Sequence, residues 1–464
     1  MFAPVIDAED LLFAGAAEQA RMIREGAVSA RALTEATLDR IARIDPQLNA
    51  FRVVLREQAL AEADAVDGGH AKGLPLAGVP IAVKDDVDVS GEVTAWGSLA
   101  HGGPRPHDDP AVARLRAAGA VIVGKTSVPE LTIWPWAESL AFGAARNPWS
   151  LDHTPGGSSG GSGAAAAAGL CGVALGSDGL GSVRIPAAFN GLFGIKPQRD
   201  RIPTRLDPWN GLSVVGPLAR TVADAALFLD ATADGLPEGG FSAALAAPPT
   251  PLRIALAVNV PPPLVGVRLG AEQRRALEAT AVLLRELGHT VVEHDIDYPA
   301  AAFPSIVARY LRSIHDCAAG MTYPERLERR TKGMARLGGL ISDARLGWAC
   351  AMEPTIAEHV NRVFDSADVV LFPGPSGPPF RVGELQGRGV AWTLNAAALR
   401  VPWYGVWNAI GQPATSVPAG FDADGLPLAA QFAGKPGDEL TLLRLAAQLE
   451  AIRPWSQHRP GGLE

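Results

Sequence analysis

Cysteine, basic clusters and long apolar runs are all scarce in this chain of 464 residues, and each scarcity removes a class of protein. The three cysteines, Cys171, Cys317 and Cys350, are odd in number and far apart, so no disulfide framework is expected and a reducing compartment is the default. Nine histidines are scattered with no H-E-x-x-H or C-x-x-C pattern, so the sequence offers no metal site and asks for no cofactor. The formal net charge is −8 and no block of basic residues occurs, which argues against a nucleic-acid partner. No apolar stretch is long enough to span a membrane; the nearest, Gly163–Gly176, is short and built of alanine and glycine. Asp7, Glu9 and Asp10 stand where a secretory leader carries lysine or arginine, so a cytoplasmic protein is expected.

What is present is apolar material, 47% of the chain, enough for a core larger than one ordinary domain. Ser29 can cap a helix with Ala30, Leu33, Thr37, Ile41 and Ile44 on one face, within a helical segment over residues 1–70. Leu76–Val89 reads as a strand breaking into a polar loop. Helix, glycine stop at Gly119 and buried strand Ala120–Val123 follow, which is an α/β rhythm. Ala164–Leu175 holds a helix former at nearly every position. Residues from about 253 to 400 are more helical, more charged and free of motifs. The chain ends on two apolar strands around Asp424-Gly425, a hairpin signal, and a helix over Asp438–Ile452.

Three segments invite a functional reading. Gly119–Thr126 matches G-x-x-x-x-G-K-[ST], yet its middle residues Ala-Val-Ile-Val favour a strand, which cannot wrap phosphate in its N–H groups. A structural strand is the better account. Pro155–Gly163, PGGSSGGSG, is either a flexible linker or a place where backbone approaches something closely; the alanine-rich helix behind it favours the second. Gly176–Pro186, GSDGLGSVRIP, read alone, is a strand–turn–strand or a nucleophile between glycines.

Taken together, GVPIAVKDDVDV, DDPAVARLRAAGAVIVGKTSVPEL, ARNPW, PGGSSGGS, GSDGLGSVRIPAAFNGLFGIKP and GQPATSVPAGFDADGLPLAAQFAG resemble the amidase-signature family, in its order and over most of the chain. Ser158 and Ser182 are 24 residues apart, the family's spacing. The resemblance implies a single α/β unit over residues 1–464, a large mixed β-sheet between helical layers, with residues about 253–400 shaping the substrate pocket. It implies Ser182 as nucleophile, Ser158 as bridging serine, Lys84 as base, and a cis peptide between Gly157 and Ser158. Asp178 and Arg184 resemble the family's supporting pair, and Thr132 falls at a substrate contact.

Chemistry agrees with those roles. A serine hydroxyl needs a base, no histidine lies in these blocks, and lysine can serve only if burial lowers its pKa from about 10.4. Val79, Ile81 and Val83 are the expected apolar surroundings of Lys84. Asp85 and Asp86 would oppose a neutral lysine, so their carboxylates are expected to turn away. Backbone N–H groups of Gly179, Leu180 and Gly181 can form an oxyanion hole, with leucine standing where the family has glycine. The segment TSVPELTIWPWAESLAF sets Ile133, Trp134, Trp136, Leu140 and Phe142 near Thr132, which points to an apolar substrate, with Trp136 among its contacts. The expected enzyme is a metal-free amidase acting on an aryl or alkyl amide or carbamate, with esterase or urethanase side activity, as a monomer or homo-oligomer. The alternative within the family is the glutaminase component of a tRNA-dependent amidotransferase. That component typically carries glutamine at the position of Ile185.

Overall fold

The computed structural model describes residues 7–71, 73–207 and 209–463; residues 1–6 of the amino-terminal segment lie outside them. Thirteen strands are found among the described residues: β1 (Phe51–Val54), β2 (Pro80–Lys84), β3 (Val121–Thr126), β4 (Glu138–Ser139), β5 (Gly143–Ala144), β6 (Val173–Asp178), β7 (Phe193–Lys196), β8 (Val214–Ala219), β9 (Arg253–Leu256), β10 (Thr290–Glu293), β11 (Val369–Pro373), β12 (Ala414–Phe421) and β13 (Pro427–Gly434). Eleven form one sheet in the order β1-β3-β2-β6-β8-β7-β12-β13-β11-β9-β10, and β4 pairs with β5. The sheet is mixed: β3, β2 and β6 run parallel, the middle from β6 to β11 is antiparallel, and β11, β9 and β10 are parallel again.

Alternation along the strands builds two cores. Ile81, Val83, Val173, Leu175 and Phe432 face helices Val222–Thr232, Ala271–Glu286 and Glu439–Ile452. Ala82, Val121, Val123 and Ala174 face the helices Ala30–Leu48 and Gly160–Ala167 on the other side. The helix at Ala30 starts as expected, Ser29 Oγ accepting from the Ala32 N–H at 3.0 Å. The last helix begins at Glu439 with Asp438 as its cap, and the Asp424-Gly425 hairpin joins β12 to β13.

Two expectations change. The alanine-rich helix ends at Ala167 instead of reaching Leu175: Gly169 takes a left-handed φ of 68°, and Val173–Leu175 are strand. Residues 253–400 also supply β9, β10 and β11 to the sheet, which a helical reading omits. As expected, Gly119–Thr126 is no phosphate loop. Val121–Thr126 is a buried strand, and Lys125 pairs with Asp85 at 3.1 Å and donates to Thr94 Oγ1 at 2.7 Å.

Candidate active site

The glycine–serine loop, the end of β2 and the turn after β6 meet at one point. The glycines allow this approach: a Cβ on Gly157 would stand 2.5 Å from the Trp136 nitrogen, and one on Gly161 2.4 Å from the Ala50 carbonyl. The Gly157–Ser158 peptide is cis, as the resemblance implies. Ser159 ties the loop to the turn, its N–H donating to the Ser182 carbonyl at 3.2 Å and its hydroxyl to the Ser177 carbonyl at 3.0 Å.

Lys84 is fully buried. Its Nζ lies 2.7 Å from Ser158 Oγ and 2.7 Å from Ser177 Oγ. Val79, Ile81 and Val83 do not surround it. They belong to the core on the opposite face, and Lys84 follows Ala82 onto the face of the glycine–serine loop. Burial pushes the lysine's pKa down, while the neighbouring anions Asp86 and Asp178 push it up; burial dominates. The two aspartates after Lys84 behave differently. Asp85 turns away as expected, accepting from Arg52 Nε at 2.5 Å and lying 3.1 Å from Lys125 Nζ. Asp86 does not: its Oδ2 lies 3.2 Å from Lys84 Nζ and accepts from Ser177 Oγ at 2.6 Å. Side chains two apart along an extended chain share a face, so Asp86 falls on the side of Lys84 and only Asp85 is turned to the other.

Ser182 is half-buried in the turn between β6 and the helix Arg184–Asn190. Asp178 organises that turn. Its carboxylate accepts from the N–H groups of Gly181 at 2.6 Å and Val183 at 3.2 Å, from Arg184 Nε at 2.9 Å and from Asn408 Nδ2 at 2.8 Å. Burial opposes its charge, but Arg184 and these hydrogen bonds hold the carboxyl well below the usual carboxylate range. Asp178 and Arg184 are both fully buried, which excludes a surface ion pair. The Gly181 N–H, expected in the oxyanion hole, is therefore spent on Asp178. Among the described residues no acceptor meets the N–H groups of Gly179, Leu180 or Ser182.

A cavity of about 400 Å³ opens over Ser158, Ser177 and Ser182. Thr132, Ile133, Trp134 and Leu180 line it, with Ile306 and Tyr310 from the helix Ala302–Gly320 and Leu394 from Val390–Arg400. Thr132 and Leu131 hold φ of 57° and 50°, unusual for a β-branched and a branched side chain and typical of sites held under strain. The neighbouring Ile133 carbonyl is fixed by Tyr310 Oη at 2.5 Å. Trp136 departs from expectation. It lies outside the lining, buried behind Trp134 with ring centroids 5.0 Å apart. Leu140 is exposed and Phe142 also lies outside the lining. Pro261 and Phe303 fall within residues 253–400, the segment expected to shape the pocket, though no motif marks them, and Leu206 lies outside it.

No helix among the described residues is long and apolar enough to cross a membrane. Residues 32–443 match the Amidase family. A Mycobacterium tuberculosis protein named "Putative amidase AmiB2" is 54% identical over 98% of this chain and 99% of its own. One component of the glutamyl-tRNA(Gln) amidotransferase of Thermosynechococcus vestitus is 34% identical over 93% of this chain and 96% of its own. The structure of 6-aminohexanoate cyclic dimer hydrolase complexed with substrate superposes with a TM-score of 0.88 at 32% identity, covering 98% of this chain and 100% of that one. The chain belongs to the amidase-signature family, hydrolases of the carbon–nitrogen bond in amides.

Proposed function

We propose that this amidase cleaves an apolar aryl or alkyl amide or carbamate through an acyl-enzyme on Ser182. The observation that carries the reading is the fully buried Lys84, 2.7 Å from Ser158 at the floor of a cavity that also reaches Ser182. Ser182 Oγ attacks the carbonyl carbon while its proton passes to Ser158, whose own proton passes to a neutral Lys84. The oxyanion takes hydrogen bonds from the N–H groups of Gly179, Leu180 and Ser182, each worth about 3–4 kcal/mol by the usual cost of removing such a donor. The amine leaves with the proton held by Lys84, and water then cleaves the acyl ester by the reverse path.

The cavity supports an apolar substrate. Asp86 is the only charged side chain among the described residues that line it. A glutamine zwitterion would find no cation there for its carboxylate, and Ile185 also lines the site. These facts favour a hydrolase acting without tRNA-complex partners over the glutaminase alternative. Three free thiols suit the cytoplasm. The test is kcat/KM for a series of anilides and aryl carbamates against glutamine and acetamide. The values should rise as the substrate grows more apolar; faster turnover of glutamine than of every anilide and carbamate would revive the alternative.

A further inference from the structure

Ser177 and Asp86 stand beside the three residues assigned to acyl transfer without a part in it. Asp86 is buried at the cavity wall. All of its bonding runs through Oδ2: Oδ1 is buried and, among the described residues, has no partner. A carboxylate placed for structure would use both oxygens, since a buried unpaired acceptor destabilises the fold.

Counting hydrogens fixes their direction. A carboxylate only accepts, so the single hydroxyl hydrogen of Ser177 points to Asp86 Oδ2, 2.6 Å away. The 2.7 Å contact between Ser177 Oγ and Lys84 Nζ must then be donated by the lysine. Asp86 Oδ2 at 3.2 Å and the Ser177 carbonyl at 3.4 Å draw the amine's second hydrogen toward the same two residues. A neutral amine has two hydrogens and one lone pair. With both hydrogens engaged there, the lone pair is left for Ser158 Oγ at 2.7 Å.

We infer that Ser177 and Asp86 are positioning residues that aim the lone pair of Lys84 at Ser158 and hold the ammonium formed when the proton arrives. The inference rests on the acyl-transfer reading above. Protons balance: one O–H bond breaks at Ser182 as one forms at Ser158, and the O–H that Ser158 gives up becomes the third N–H of Lys84. That ammonium has three acceptors waiting, Ser158, Ser177 and Asp86, and returns its proton to the leaving amine. The charged groups facing Lys84 are Asp86, two residues on in its own segment, and Asp178 at the end of β6; Asp85 is committed to Arg52 and Lys125. Burial alone would leave the lysine a weak base, and Asp86 is the main counterweight.

The experiment is kcat/KM against pH for the wild type, Asp86→Asn, Ser177→Ala and Ser177→Thr, with fluorophosphonate labelling of each read by intact mass. Without the anion the ammonium loses its partner, so the acidic limb of Asp86→Asn should move to lower pH by about one to three units. Ser177→Ala should lose roughly 10²-fold or more in kcat with little change in KM, and Ser177→Thr, which keeps the hydroxyl, should restore most of it. An acidic limb of Asp86→Asn that coincides with the wild type overturns the inference. If Asp86→Asn does not fold, the serine variants decide it: wild-type kcat in Ser177→Ala overturns it equally. Labelling separates the two readings. A wild type labelled at Ser182 with an unmoved limb sinks this inference alone, whereas a wild type unlabelled at Ser182 sinks the acyl-transfer reading and takes this one with it.

Discussion

Replacing Asp178 with asparagine removes one charge and almost no volume from beneath the turn that carries Ser182. The carboxylate meets donors on both oxygens: Gly181 N–H and Asn408 Nδ2 on Oδ1, Val183 N–H and Arg184 Nε on Oδ2. An asparagine has one oxygen and one NH₂, so in either orientation its NH₂ faces at least two donors. Arg184, fully buried, keeps its charge and loses its partner. Breaking a buried pair by removing one member costs about 3–5 kcal/mol, and the stranded donors add to that. Asp178→Asn should therefore lower the urea midpoint by the equivalent of at least about 3 kcal/mol and slow fluorophosphonate labelling of Ser182, because the turn loses its anchor. The sign with pH follows from the lowered carboxyl. Its stabilisation is fully present above the ordinary value of 3.8 and is lost only as pH falls below it, so the gap between wild type and variant should be level at neutral pH and close only in acid. A variant with the wild-type midpoint and labelling rate would refute the argument.

Two further substitutions test the approach of the loop and the floor of the cavity. Gly157→Ala sets a Cβ 2.5 Å from the Trp136 nitrogen and 2.6 Å from the Trp134 carbonyl, backbone atoms that cannot step aside, so thermal unfolding should show a loss of about 1–3 kcal/mol together with loss of labelling; an unchanged Tm would contradict it. Leu180 packs where a Cβ on Gly405 would be 3.2 Å from its Cδ2, and Leu180→Ala removes three carbons, roughly 2 kcal/mol of apolar contact at about 0.8 per carbon. Branched acyl groups should gain in kcat/KM relative to linear ones by about tenfold or more, and an unchanged ratio across a matched anilide series would remove Leu180 from the specificity argument.

The parts of the site legible in the sequence are those that lie in the blocks resembling the amidase-signature family. Ser158, Ser182, Lys84, Asp178 and Arg184 lie in short blocks whose glycines serve backbone approach, and the structure brings all five together. Asp86 was misread because the two aspartates were treated alike, whereas period-two alternation sends Asp85 away from Lys84 and brings Asp86, two residues on, back to its side. Lys84 itself is buried by the far face, not by Ile81 and Val83, since neighbours in sequence on a strand point to opposite sides. The Gly181 N–H could not be assigned without knowing that the Asp178 side chain folds back onto its own turn. Trp136 shows the limit of proximity along the chain: two residues from Trp134, it stacks behind that ring and leaves the cavity to it. The remaining wall, Leu206, Pro261, Phe303 and Leu394, is assembled from distant segments by the eleven-stranded sheet and carries no local signature.

The central claim is that Ser182 forms the acyl-enzyme, and intact-mass analysis after fluorophosphonate treatment tests it most directly. The wild type should gain the mass of one phosphonyl group, mapped to the peptide holding Ser182, while folded Ser182→Ala gains none and turns over no amide. Equal labelling of the two proteins, or amide turnover by Ser182→Ala at the wild-type rate, would contradict it.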